Sequence, residues 1–304
     1  MCSPITPASG GCRTLCIASD PPKYIGIDVD NTFHTHDAAA MAKNRRAFRK
    51  LVESGYRPVF VTGTDQCPSV HRCLGRTLKA SQDVLEDLYA DGVYRGYPGV
   101  YQNGATVYNE RGELIFTVAF SKGFIRDVCD ILEEHRLGAH VLFEAPNEYY
   151  ALPHDKNLTE LVARNLGLPS PVIESTVAEI CAADITHMLC YQFAKVELHM
   201  KAEPERDYVA REGPMEITGI NPPCVNKLEG LRALLAYEKA DANGFAFIGD
   251  GSNDIEALRA SQWSFAVGNA SGSVKATAKN VLEETNDEAA FAKMAELLYG
   301  INVD

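Results

Sequence analysis

Four short apolar stretches punctuate the chain, and each stops at a polar or small residue. Tyr24–Ile27 runs into Asp28, Pro58–Val61 into Thr62-Gly63, Phe245–Ile248 into Gly249-Asp250, and Ser264–Val267 into Gly268-Asn269. Uninterrupted apolar runs of this length, rich in β-branched and aromatic residues, predict strands buried on both faces of a parallel sheet. Between them the period changes to that of a helix. Ala38–Ser54 sets Met41, Phe48, Leu51 and Val52 among basic residues and stops at Gly55, and Lys227–Tyr237 puts leucines 228, 231, 234 and 235 on one face. Asp254–Ala260 and Gly272–Ala278 also read as helices. This alternation predicts an α/β fold with a doubly wound, Rossmann-like parallel sheet. In such a sheet the strands' carboxyl ends share one edge, where ligands bind. Asp28, Thr62 and Asp250 are therefore expected to meet there, although they lie far apart in the chain.

The middle has a different texture. Strand-like Leu114–Val118, His140–Glu144 and Ala194–Met200 alternate with helix-like Gly123–His135, Leu158–Leu166 and Thr176–Ala182. The expectation is an α+β insertion over residues 105–213, a core built from 23–104 and 214–304, and a loosely ordered leader over 1–22.

Composition removes some partners. The 304 residues carry a formal net charge of −12, which repels nucleic-acid phosphates and anionic lipid. A small anionic substrate remains compatible with that charge if a bound cation inverts the local field. The nine cysteines include two close pairs, Cys12 with Cys16 and Cys67 with Cys73. Neither is followed by a second pair at structural-zinc spacing, so reduced thiols are expected. The leader holds one basic residue, Arg13, and no apolar core of a signal peptide. A cytoplasmic protein is the expectation, with an organellar address in the leader as the alternative. No stretch approaches the roughly 20 apolar residues that a membrane span needs.

The candidate chemistry sits at the strand ends. Asp28-Val29-Asp30-Asn31-Thr32 sets two carboxylates two residues apart: the first can bind a metal and attack phosphorus, the second can serve the leaving oxygen as general acid. The plainer reading is an Asp-rich turn. Gly249-Asp250-Gly251-Ser252-Asn253-Asp254 offers oxygen ligands of the kind Mg²⁺ prefers, and reads equally as a capped strand-to-helix turn. Thr62-Gly63 can hold phosphoryl oxygens through a hydroxyl and free amides. Lys227, opening a helix, can balance charge on a transferring phosphoryl group. Each of these signals alone is weak. His34 and His36 read as a polar loop rather than a metal site, since Mg²⁺ prefers oxygen.

Taken together and in order, these motifs resemble the haloacid dehalogenase superfamily of phosphatases, especially its Cof-type sugar-phosphatase branch with an α/β cap. The resemblance covers roughly Lys23 to Gly300. It is closest from Gly213 through Asn221, Lys227, Gly249–Asp254, Ala266–Ala270 and Val274-Lys275, and Gln102–Ala105 resembles the segment that leads into the cap. The resemblance implies a covalent aspartyl-phosphate on Asp28, with Asp30 as general acid/base lending its backbone carbonyl to Mg²⁺. It implies phosphate contacts from Thr62, Gly63, Lys227 and Asn253, and a Mg²⁺ site of Asp28, Asp30, Asp250 and Asp254. The implied substrate is a small phosphorylated metabolite, a phosphosugar or polyol phosphate, selected by the inserted cap.

Two positions depart from the branch. Asn31 stands where the family usually has Gly; Asn tolerates the left-handed region, so the turn is expected to survive. Thr64-Asp65 follows Thr62-Gly63 where the branch usually has Arg, which removes a cation near the phosphate. Two other readings stay open at this point: a phosphomutase of the same superfamily, and a catalytically silent binding protein that keeps the fold.

Overall fold

The computed structural model describes residues 20–63, 85, 87–146, 148–153, 172–212 and 216–303. Leader residues 1–19, Thr64 and Asp65, Cys67 and Cys73, and the expected helix Leu158–Leu166 lie outside the described residues.

The first strands are β1 (Tyr24–Ile27), β2 (Arg57–Val61), β3 (Gly99–Tyr101), β4 (Thr106–Tyr108) and β5 (Leu114–Thr117). Then come β6 (Val141–Ala145), β7 (Glu148–Ala151), β8 (Ile173–Glu174), β9 (His187–Tyr191), β10 (Val209–Glu212) and β11 (Ile217–Asn221). The chain ends through β12 (Phe245–Gly249), β13 (Trp263–Ala266) and β14 (Asn280–Val281).

The larger sheet has the order β14-β13-β12-β1-β2-β3-β4-β5. It is parallel from β14 to β3, and β4 and β5 extend it antiparallel. The four expected apolar runs are β1, β2, β12 and β13, displaced by a residue or so at their ends. They are largely apolar and buried because helices cover both faces. On one face Phe60 meets Phe33 and Phe48 at ring centroids 5.1 and 5.7 Å apart, and Phe33 in turn meets Phe291 at 5.0 Å. On the other face Leu231 and Phe247 crowd Gly26 so closely that a Cβ there would lie 2.6 Å from Phe247. Fully burying each such aromatic contributes about 1.5–3 kcal/mol. Ala38–Glu53 pairs with the helix Ala290–Tyr299, and Lys227–Tyr237 pairs with Ile255–Ala260.

The chain runs from β1 toward β2 and β3 on one side, then returns through β12 toward β13 and β14 on the other. The order reverses between β1 and β12, and a doubly wound sheet opens its crevice at such a point.

The second sheet, β10-β11-β9-β6-β7-β8, is antiparallel except for the β7–β8 pair. One face packs against the helices Lys122–Glu134 and Val177–Ala182 through Ile125, Val128, Leu132, Phe143, Ile180 and Met188. The opposite face carries a smaller cluster of Leu142, Tyr149, Ala151 and Ile217.

Three expectations change here. Residues 105–117 pair with the larger sheet: the turn Gln102–Gly104 sends the chain back along β3, and a tight reversal at Asn109–Gly112 returns it as β5. Conversely, Ile217–Asn221 belongs to the second sheet, paired with β9 and β10. The sheets thus exchange chain at 118–121 and 222–226 rather than at 105 and 213. Finally, Ala194–Met200 is not a strand; Phe193–Glu197 is a one-turn helix. Its buried pair is Phe193 with Val196, at helical spacing, while Leu198 is 80% exposed where a strand would have buried it beside Val196.

Candidate active site

Asp28 follows β1 directly, and its amide continues the ladder by donating to the Ile248 carbonyl of β12 at 3.0 Å. The chain then folds into a single wide turn, Val29–Phe33, in which Asn31 sits in the left-handed region at φ 56°. Asn31 thus adopts the conformation expected of it. Asn269 Nδ2 holds the turn by donating to the Asn31 carbonyl at 2.8 Å.

Lys227 opens its helix, whose first turn is capped by the Asn226 side chain accepting from the Glu229 amide at 3.0 Å. This places the ammonium inside the crevice: Lys227 Nζ lies 2.6 Å from Asp28 Oδ1 and 2.6 Å from Asp254 Oδ1, with Lys227 fully buried. The other Asp254 oxygen accepts the amides of Asp250 and Gly251 at 3.0 and 2.9 Å. That hairpin-tight arrangement requires glycine at 249, where a Cβ would stand 2.4 Å from Asp254 Oδ2. Thr32 Oγ1 donates to Asp250 Oδ1 at 3.2 Å, linking the two Asp-bearing turns.

Asp28, Asp250 and Asp254 each offer a carboxylate oxygen within 4.8 Å of the others. Oxygens around Mg²⁺ at about 2.1 Å are at most about 4.2 Å apart, so small side-chain shifts close this triad on such an ion. The Asp30 carboxylate stands outside the triad.

Electrostatics mark the same place. Burial, then the charge of Asp28, pushes Asp30 up to about 6, with Lys227 opposing. Burial and the neighbouring carboxylates also raise Asp250, and burial raises Asp254 against the pull of Lys227. Burial pulls Lys227 down, but Asp254 and Asp28 outweigh it and raise its pKa. Four carboxyls crowd one ammonium, and a divalent cation is the partner that relieves such crowding.

Thr62 follows β2, the neighbour of β1, and is buried; its amide donates to the Val100 carbonyl at 2.9 Å, and its carbonyl accepts the Asn103 amide at 3.0 Å. Gly63 lies against Asn103, whose Oδ1 would be 3.0 Å from a Cβ. Asn253 Nδ2 donates to that same Asn103 oxygen at 2.9 Å. Asp28, Lys227, Asp250 and Asp254 therefore form one contact group, whereas Asn103 links Thr62 and Gly63 to Asn253, the chain neighbour of Asp254. Sequence reasoning assigned no role to Asn103, Asn221 or Asn269; single asparagines at turns carry no periodic signal.

Comparison with known proteins gives a consistent family. A family model described as haloacid dehalogenase-like hydrolase matches residues 25–294. The chain is similar to a chloroplastic endoribonuclease YBEY of Arabidopsis thaliana, 23% identical over 272 residues, covering 87% of this chain and 44% of that protein. The chain thus spans less than half the length of that curated relative. Among solved structures it resembles a HAD/COF-like hydrolase from Plasmodium vivax, with TM-score 0.74, 21% identity, and 93% and 98% of the two chains covered. It also resembles a HAD subclass IIB sugar phosphatase, with TM-score 0.69, 17% identity, and 92% and 100% covered.

Proposed function

The chain belongs to the haloacid dehalogenase-like hydrolase family, and from that membership we propose that it is a Mg²⁺-dependent phosphomonoesterase acting on a small phosphorylated metabolite through a phosphorylated Asp28. The observation that carries the reading is the buried Lys227 ammonium held 2.6 Å from both Asp28 and Asp254, with Asp250 closing a carboxylate triad. Asp28, Asp250, Asp254 and the Asp30 carbonyl would hold the ion. When bound, it supplies positive charge to the phosphoryl oxygens and neutralises the Asp28 nucleophile's surroundings.

The residues then divide the work. Lys227 holds and aims the Asp28 side chain, and offers charge as the phosphoryl group becomes more negative. An Asp28 oxygen attacks phosphorus and the ester P–O bond breaks. Asp30, whose pKa of about 6 leaves a protonated fraction near neutrality, gives its proton to the departing alkoxide. The resulting Asp30 carboxylate then takes a proton from water as that water attacks phosphorus. Inorganic phosphate leaves and Asp28 returns as a carboxylate. Thr62, Gly63 and Asn253 line the phosphoryl site, and the second sheet selects the leaving group.

A phosphosugar or polyol phosphate is the substrate class this reading favours, in keeping with the sugar phosphatase among the similar structures. The endoribonuclease name belongs to a protein matched over 44% of its length, and a net charge of −12 disfavours RNA. Among the described residues no helix is long and apolar enough to cross a membrane.

Hydrolysis of an aryl phosphate and of a panel of phosphosugars, with Mg²⁺, with EDTA, and with Asp28→Asn, tests the proposal. Turnover that needs Mg²⁺ and is lost in Asp28→Asn is expected. Turnover that survives in Asp28→Asn would remove the nucleophile assignment, and Mg²⁺-independent turnover would remove the metal.

A further inference from the structure

A chain of hydrogen bonds that this chemistry does not use runs between the two sheets. It begins beside the carboxylates, where Asn253 Nδ2 donates to Asn103 Oδ1 at 2.9 Å. Asn103 Nδ2 donates to Asn221 Oδ1 at 3.1 Å, and Asn221 Nδ2 donates to the Gln102 carbonyl at 3.0 Å. The Gln102 side chain carries it onward: Nε2 donates to Glu144 Oε2 at 3.2 Å, while Oε1 accepts from Thr186 Oγ1 at 2.7 Å. His187 Nδ1 lies 2.9 Å from that same Glu144 oxygen. Gln102, Asn103, Glu144, Thr186, His187 and Asn221 are all buried.

The placement of these residues gives the chain its meaning. Gln102 and Asn103 follow β3 in the larger sheet, Glu144 lies on β6, His187 opens β9, and Asn221 ends β11 just before the chain crosses back. Nearby, the Val118 amide donates to the Ala105 carbonyl and the Phe120 amide to the Ile185 carbonyl, so the outward crossing is tied to both sheets as well.

Each component is costly by itself. Gln102 and Asn103 both adopt left-handed backbone, at φ 52° and 58°, which costs non-glycine residues about 1 kcal/mol or more each. A buried carboxylate is unfavourable unless its acceptors are filled. His187 is paired with Glu144 within the second sheet, so the bonds that depend on the angle between the sheets are those of Gln102 to Glu144 and Thr186, and of Asn221 to Asn103 and the Gln102 carbonyl. Apolar packing tolerates sliding; a fully partnered buried network does not.

We propose that these six residues are positioning residues: a buried latch that fixes the second sheet at one angle over the carboxylate site and holds the Asn253 amide beside Asp254. The latch rests on the contacts above; that it positions phosphoryl-transfer machinery rests on the proposed function.

The test measures amide hydrogen exchange in the whole chain for wild type, Glu144→Gln and Glu144→Leu. Gln keeps an oxygen that can accept from both Gln102 and His187, whereas Leu removes the acceptor. In Glu144→Leu, exchange at 118–120 and at 224–226, the latter untouched by Glu144, is expected to quicken about tenfold or more, with β1 and β12 unchanged. Glu144→Gln is expected to stay within about threefold of wild type. For substrates that wild type hydrolyses, kcat/KM in Glu144→Leu should fall about tenfold for a phosphosugar and much less for a small aryl phosphate. Acceleration confined to β6 and β9, or equal acceleration in the Gln and Leu variants, would overturn the latch. If Glu144→Leu does not fold, Thr186→Val frees Gln102 Oε1 with little change of shape. Faster exchange at 224–226 in that variant supports the latch, and unchanged exchange there overturns it. The exchange readout needs no turnover, so a wild type without phosphatase activity would defeat the proposed function and leave this test intact.

Discussion

Lys227 Nζ sits 2.6 Å from Asp28 Oδ1 with no part of the lysine exposed to solvent. A fully buried ammonium is tolerated only because two carboxylates hold it, Asp28 on one side and Asp254 on the other. The contact joins the end of β1 to the start of a helix 199 residues later, so one side chain serves both the fold and the chemistry.

Lys227→Met should show both roles. Removing the cation leaves buried carboxylates uncompensated, and the expected destabilisation of the metal-free protein is about 3–5 kcal/mol. Added Mg²⁺ should recover part of that loss. Turnover should fall about 10²–10³-fold in the folded variant. Chemical denaturation with and without Mg²⁺, beside steady-state kinetics, checks the two effects separately.

The raised carboxylates make an unusual expectation for pH. Asp30, Asp250 and Asp254 hold their protons to higher pH in the folded protein than in the unfolded chain. From about pH 4 upward the native state therefore binds more protons, and their contribution to stability falls as pH rises toward neutrality. The Tm of the metal-free protein should be higher near pH 6 than near pH 8. Mg²⁺ binding competes with those protons, so its stabilisation should be larger at the higher pH. Calorimetric scans at the two pH values, with EDTA and with Mg²⁺, read the sign directly.

Asp30 should matter most where the leaving group is poor. Asp30→Asn is expected to slow hydrolysis of an alkyl phosphate about 10²–10⁴-fold, and an activated aryl phosphate considerably less in the first chemical step. For the wild-type enzyme, single-turnover cleavage of the alkyl ester should weaken as pH rises through the Asp30 pKa of about 6. Equal loss on both substrates would assign Asp30 to folding or metal binding instead.

Gly249→Ala tests the tight turn. The new Cβ would stand 2.4 Å from Asp254 Oδ2, the oxygen that accepts the Asp250 and Gly251 amides. The turn must move and carry Asp254 with it. Mg²⁺ affinity, measured by calorimetry, should weaken about tenfold or more.

The edge of the larger sheet was readable because its strands are buried on both faces. Continuous runs such as Phe245–Ile248 end where burial ends, and the residues just beyond, Asp28, Thr62 and Asp250, inherit a shared edge from the topology. Asn31 was readable for a local reason, since few side chains accept φ 56°. The insertion was harder. Val196, Leu198 and Met200 imitate a strand's alternation, but the real pairing is Phe193 with Val196, and only the contact with the Lys122–Glu134 layer decides between the two. The points where the chain changes sheet were harder to read: β4 and β5 are short and owe their partners to chain reversals at Gln102–Gly104 and Asn109–Gly112, while β11 takes its partners, β9 and β10, from the second sheet. The latch was illegible in the chain: Gln102 and Glu144 are 42 residues apart, Asn103 and Asn221 are 118 apart, and no periodicity links them.

The central claim is that phosphate passes through Asp28. Rapid acid quench during turnover, followed by mass spectrometry of the peptide containing residues 24–33, measures it most directly. The expected result is a phosphoryl group on Asp28 that appears and decays with turnover and is absent in Asp28→Asn. Full turnover with an unmodified Asp28, or a phosphoryl group trapped on another residue, would contradict the account.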